Sequence, residues 1–161
     1  MKQLLLVRHA KSSWDNIDLD DLDRPLNKRG KKEATLLGRL LKKNGLIPQL
    51  IISSPAKRAY KTAIKMTHEL NLPKKNIEEN KIIYSGNTPK IIELISSLDK
   101  KTDLVLIVGH YPSIMELGNY LTGSNFLKLK TSGFILINLK IKSWKEIAKD
   151  KGNILLIDRA S

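Results

Sequence analysis

Leu4-Leu5-Leu6-Val7 is an unbroken apolar run that ends abruptly at Arg8-His9. Four residues are too few for a helix. A run with no polar alternation has no face to offer water, so it reads as a strand buried on both sides, as in a parallel sheet. Ligands of open α/β sheets bind beyond the carboxyl ends of strands, which puts Arg8 and His9 where a site belongs. Leu104-Val105-Leu106-Ile107-Val108 repeats the pattern and breaks at Gly109-His110, and Leu50-Ile51-Ile52-Ser53 breaks at Ser54-Pro55. Ile82-Ile83-Tyr84 is read as the third strand of the series.

Helical spacing fills the intervals. After Asn27, a capping residue, Ala34, Leu36, Leu37, Leu40 and Leu41 share one face, and Gly45 closes a helix over 28–44. Ser54-Pro55 and Thr88-Pro89 each offer a cap and a first-turn proline, giving helices over 55–70 and from 88 to Leu98. Pro112 opens another through Leu121, and Ser143 with Glu146 fits a capping box between the strands Phe134–Leu139 and Ile154–Ile157. Strands alternating with helices in this way predict an α/β fold. The expected form is a three-layer α/β/α sandwich whose mostly parallel sheet carries an antiparallel edge strand, with residues 1–161 as one domain. Residues 11–25 show no helical stripe and are read as a long, functional loop.

Composition narrows the function. The chain has no cysteine, which excludes disulfides and thiolate metal sites. Its short N-terminal apolar run suits neither a signal peptide nor a membrane span, so a cytoplasmic protein without membrane attachment is expected. A net charge of +13 invites a nucleic-acid reading. Against it, 23 of the 29 basic residues are lysines spread over the whole chain, with no aromatics interleaved. No nucleic-acid partner is expected.

Only six basic residues are arginines, and two of them, Arg8 and Arg58, fall at strand ends, while Arg24 lies in the long loop. Arginine's planar fork binds phosphate oxygens bidentately, and helix starts near 55 and 112 add backbone donors. If the sheet is parallel, Arg8, His9, Arg58 and His110 converge on a pocket for a phosphoryl group. Neighbouring guanidinium charge keeps an imidazole neutral and nucleophilic. His9 is the candidate for attack, and His110 the candidate donor to the equatorial oxygens. His68, flanked by Thr67 and Glu69 in mid-helix, is read as a surface residue. A zinc site at His9 and His110 lacks a third ligand at sensible spacing, so neither metal nor cofactor is expected.

These residues resemble a known family. Leu6-Val7-Arg8-His9-Ala10-Lys11-Ser12, Arg24-Pro25-Leu26-Asn27-x-x-Gly30, Ser54-Pro55-x-x-Arg58-Ala59-x-x-Thr62, Val108-Gly109-His110-Tyr111-Pro112 and Thr131-Ser132-Gly133 are similar, in order, to the motifs of the histidine phosphatase superfamily. This is the phosphoglycerate mutase-like group, and within it the chain most resembles the small SixA-type phosphohistidine phosphatases. The resemblance implies His9 as the phosphorylated nucleophile, Arg8, Arg58 and His110 as the phosphate pocket, and metal-independent hydrolysis. Ser12, Asp15 and Arg24 are counted as further phosphate- or substrate-binding residues.

Two departures bear on the substrate. Ala10, Lys11-Ser12 and Trp14-Asp15 replace the Gly, Glu-Ser and Trp-Asn of the larger mutases and sugar phosphatases, so Asp15 stands where an amide touches phosphate in those relatives. Those enzymes also carry a glutamate general acid after the third strand, where this chain has Ser85-Gly86-Asn87-Thr88. An alkoxide needs a proton donor to leave, whereas imidazole, with a pKa of about 6.5, hardly does. The missing acid therefore favours phosphohistidine on a protein, although Asp15, Asp18, Asp20, Asp21 or Asp23 could swing in as a donor. The alternatives are a phosphomonoesterase or mutase for a small phosphorylated metabolite, and an inert phosphate- or polyanion-binding module. A monomer is expected.

Overall fold

In the computed structural model, which describes residues 1–125 and 128–159, six strands form one sheet in the order β3-β2-β4-β1-β5-β6. In chain order the elements are β1 (Lys2–Arg8), α1 (Lys28–Lys43), β2 (Leu50–Ser53), α2 (Lys57–Glu69), β3 (Ile77–Glu79), α3 (Lys81–Ser85) and α4 (Thr88–Ser96). Then follow β4 (Leu104–Gly109), α5 (Ser113–Thr122), β5 (Gly133–Leu139) and β6 (Gly152–Arg159). β3, β2, β4 and β1 are parallel neighbours, while β5 runs antiparallel to both β1 and β6. This is the expected mixed sheet.

The unbroken apolar runs are explained by cover on both faces. Leu5, Val7, Leu106 and Val108 pack with Leu37 and Leu41 of α1 and Ala59, Ala63 and Met66 of α2. Leu4, Leu6, Val105 and Ile107 pack on the other face with Ile91 and Ile95 of α4 and Ile114, Leu117 and Leu121 of α5. β1 lies innermost, hydrogen-bonded to β4 on one side and β5 on the other, so its end is fixed from both directions. No described helix is long and apolar enough to cross a membrane.

Several local readings hold and some are corrected. The Asn27 side chain accepts from the Gly30 amide at 2.7 Å, Gly45 has a φ of +69°, and the Ser143–Glu146 capping box is formed on a single 3-10 turn, Trp144–Glu146. The third strand is Ile77–Glu79, and Ile82-Ile83-Tyr84 belongs to α3. The Asn80 side chain accepts from Ile82 N and starts that helical turn, so the run buries Ile83 alone. Asn87, one residue before Thr88, caps α4 through Lys90 N. α2 and α5 begin at Lys57 and Ser113, because Ser54-Pro55-Ala56 and Tyr111-Pro112 are spent on the turns that leave the sheet. The loop of residues 11–25 contains one 3-10 turn, Asp21–Asp23.

Candidate active site

β1, β2 and β4 end on the same rim because they run parallel, and the residues just beyond them share a cavity of about 490 Å³. Backbone hydrogen bonds hold those residues in place. His9 N donates to Gly109 O at 3.0 Å, Ser54 N to Val108 O at 3.1 Å, and Ser132 N to the carbonyls of Arg8 and His9 at 3.1 and 3.2 Å. The Thr62 hydroxyl on α2 accepts from Ala10 N at 3.0 Å and donates to Arg58 O at 2.7 Å, tying the β1 exit to the helix that carries Arg58.

His9 is 8% exposed, with Nδ1 2.7 Å from the Ala10 carbonyl. A carbonyl can only accept, so Nδ1 carries the proton and Nε2 keeps its lone pair. Burial pushes the His9 pKa down to about 3. The Ala10 carbonyl opposes the shift, but His110, Arg58 and Arg8 reinforce it. The ring is therefore a neutral nucleophile near pH 7.

His110 lies with its centroid 5.2 Å from that of His9. Its Nδ1 is 3.4 Å from Arg58 Nη2, which only donates, so Nε2 carries the proton toward Ser54 Oγ at 2.8 Å. Burial, with the Arg58 charge next, pushes its pKa down to about 4. Both ring nitrogens are occupied by the protein.

The arginines are anchored but not exhausted. Arg8 Nη1 donates to Leu129 O at 2.8 Å, and its guanidinium sits 5.1 Å from the centre of the Tyr111 ring. Arg58 reaches the long loop, where Nη1 donates to Asp21 O at 2.7 Å and Nη2 to Asp21 Oδ2 at 2.9 Å. Arg8 Nε and Arg58 Nε are buried with no hydrogen-bond partner among the described residues. Two guanidinium groups with unspent donors on one cavity wall suit an anionic ligand.

Asp21 holds the centre of this network. Besides Arg58 it takes Arg24 Nε at 3.3 Å and the Tyr84 hydroxyl at 2.8 Å. Burial would raise its pKa, but the hydrogen bonds from Tyr84 and Arg58 and the Arg58 charge outweigh it and hold the carboxyl at about 2. Arg24 continues to Ser12 Oγ at 2.9 Å and stacks 3.4 Å from the centre of the Trp14 ring.

Of the residues singled out from the sequence, Arg8, His9, Ser12, Arg24, Arg58 and His110 line the cavity. Asp15 does not: it is exposed, and the carboxylate at the cavity is that of Asp21. Tyr84, assigned to a strand, and Ser54, assigned to a cap, touch the network through Asp21 and His110. Lys11, Trp14, Tyr111 and Thr131 complete the wall. Asp21 had a weak signal as one of several loop acids, and Tyr84 had none. Among the described residues, no group of three or more imidazole and carboxylate side chains gathers in a metal-binding arrangement.

The chain is similar to several known proteins. Residues 4–81 match the profile of the histidine phosphatase superfamily, branch 1. An uncharacterised chloroplastic protein of Arabidopsis thaliana is 33% identical over 153 residues, covering 90% of this chain and 70% of that protein. Phosphoserine phosphatase 1 of Hydrogenobacter thermophilus is 42% identical over 85 residues, covering 52% of this chain and 38% of that enzyme. Among solved structures, the protein histidine phosphatase SixA complexed with tungstate superposes with a TM-score of 0.85 at 22% identity, covering 98% of this chain and 97% of that one.

Proposed function

This chain belongs to the histidine phosphatase superfamily as a phosphatase, and from that premise we propose that it hydrolyses phosphohistidine on another protein through a phosphoryl intermediate on His9. The observation that carries the reading is His9 itself: a buried, neutral imidazole with Nε2 free, beside two arginines that each retain a spare buried donor.

In the first step His9 Nε2 forms a bond to phosphorus while the bond from phosphorus to the substrate nitrogen breaks. The electron pair goes to that nitrogen, and the ring, whose other nitrogen carries a proton, leaves as neutral imidazole. Arg8 and Arg58 bind the equatorial oxygens, and Arg58 does so by exchanging the Asp21 carboxylate for the phosphoryl group. Once Arg58 turns to the phosphoryl group, His110 Nδ1 takes a proton from solvent, favoured by the negative charge of that group. It donates to the phosphoryl oxygens with Nε2 still held by Ser54, and returns the proton to solvent when phosphate leaves. A water oxygen then bonds to phosphorus as the Nε2–phosphorus bond breaks and its electron pair returns to Nε2. The water gives a proton to solvent, inorganic phosphate leaves, and His9 is neutral again.

Asp21 supports the choice of substrate. It is the carboxylate that lines the cavity, and Tyr84 and Arg24 still donate to it when Arg58 turns to the phosphoryl group. In the free enzyme Tyr84 and Arg58 hold it at a pKa of about 2, with no proton to give near pH 7. A leaving group with a pKa near 6.5 departs without one, but an alkoxide does not. The SixA likeness in fold agrees with this reading. The local identity to a phosphoserine phosphatase favours a phosphomonoester as the second reading.

The test is turnover of free phosphohistidine against phosphoserine and a sugar phosphate, with acid-quench trapping of the phosphoenzyme. We expect phosphohistidine to be the fastest substrate, and His9→Ala to lose roughly a thousandfold or more in rate together with the trapped phosphoenzyme. Faster turnover of phosphoserine would favour the second reading. Undiminished turnover by His9→Ala would remove the mechanism.

A further inference from the structure

The loop between β1 and α1 carries a concentration of exposed apolar side chains, of which only Trp14, stacked on Arg24, lines the cavity. Ten large apolar residues are exposed among the described residues, and four of them, Trp14, Ile17, Leu19 and Leu22, fall within nine positions. Tyr111, a fifth, lies on the same cavity wall as Trp14. Trp14 is 67% exposed and Ile17 89%. Single exposed apolar side chains are ordinary, but four within nine positions of one loop beside a site point to an interaction surface.

The loop is held in place. At its base Ser12 bridges to Leu26, and Ser13 N donates to Pro25 O at 2.8 Å. At its far end Asp21 is clamped by Arg58 and Tyr84. Pinned at both ends, the loop leaves these apolar side chains in solvent. Its charge opposes that of the rest of the chain. Asp15, Asp18, Asp20 and Asp23 are exposed and form no salt bridge among the described residues, in a protein of net charge +13.

We propose that residues 14–23, with Tyr111, form the docking surface for the protein that carries the phosphohistidine, and that this partner surrounds its modified histidine with apolar and basic side chains. The proposal rests on the phosphohistidine reading above. Trp14 and Asp21 belong to the cavity wall and to the loop at once, so a partner whose phosphoryl group reaches Arg8 and Arg58 must lie against this loop. The four free carboxylates repel a small, multiply charged anion at short range. They attract a phosphoryl group delivered from a basic surface. Aromatic anchors of the Trp14 and Tyr111 kind are enriched where such contacts carry binding energy.

Two synthetic peptides of equal length with a central phosphohistidine, one flanked by Lys and Leu and the other by Glu and Ser, test this beside free phosphohistidine. The unaltered enzyme is expected to show kcat/KM about tenfold higher for the Lys/Leu peptide. In the variants Ile17→Ser/Leu22→Ser and Asp18→Lys/Asp23→Lys that preference shrinks, while free phosphohistidine turns over at the original rate in the first variant and at that rate or faster in the second, which also reports intact folding. Equal use of the two peptides by the unaltered enzyme, a preference for the Glu/Ser peptide, or an unchanged preference in both variants overturns the docking surface and leaves the phosphohistidine reading standing. Failure to hydrolyse any of the three substrates overturns both.

Discussion

His9 and His110 are uncharged because the fold takes them out of water and sets guanidinium groups beside them. In the unfolded chain each would titrate near 6.5, whereas folded they titrate at about 3 and about 4. Between those values the unfolded state binds more protons. The stability is therefore complete above about pH 6.5 and falls with pH through that window. The loss at pH 5 is on the order of 2 kcal/mol for each ring, and His9→Asn should remove about half of the pH dependence. Urea unfolding at pH 7.5 and pH 5 measures it, and equal stabilities at the two would contradict the burial of both rings. Asp21 yields a second prediction. Because phosphate competes with its carboxylate for Arg58, Asp21→Asn should tighten inhibition by inorganic phosphate about threefold or more, with kcat for phosphohistidine little changed. A drop of roughly a hundredfold in kcat would instead make Asp21 the proton donor. Arg8, His9 and His110 could be singled out from the sequence because each sits at a strand end, and Arg58 because it falls in the first turn of the helix that follows one. Tyr84 could not, since it meets Asp21 across 63 residues of chain and carries no local sign of doing so.

The elements succeed or fail as readings according to how local their causes are. Asn27 at the start of α1 and Gly45 beyond its end act within one turn of backbone, and both were legible. Ile82-Ile83-Tyr84 was misread because three apolar residues fit a strand or a helical turn equally well, and the deciding hydrogen bond comes from the Asn80 side chain. Gly30 shows an element meeting a loop. A Cβ there would lie 2.0 Å from the Lys11 carbonyl oxygen, which itself accepts from Asn27 N. Gly30→Ala must push α1 and the exit of β1 apart, at a cost of about 1–3 kcal/mol by urea unfolding. Because that exit also carries Ser12 and the base of the loop, phosphate affinity should weaken along with stability. Full stability and affinity in this variant would mean that the approach is easily relieved.

Across the molecule, protection should follow position in the sheet. β1 and β4 are paired on both edges and buried on both faces, whereas β3 is a three-residue edge strand. Amides of β1 and β4 should exchange with solvent last and those of β3 among the first, as hydrogen exchange followed by NMR would reveal. Early exchange in β1 would mean that the site opens independently of the core. The apolar runs, their polar breaks and the helical spacing between them were enough to derive a mixed α/β sheet and to bring Arg8, His9, Arg58 and His110 together at its rim. Those features depend on neighbours in sequence and on the two-sided burial of parallel strands. The choice of Asp21 over Asp15 at the cavity, the tautomers of His9 and His110, and the clamp that holds Trp14 and Ile17 in solvent depend on contacts between distant segments. Such contacts follow from how the helices and loops settle on the sheet, and no stretch of neighbouring residues encodes them.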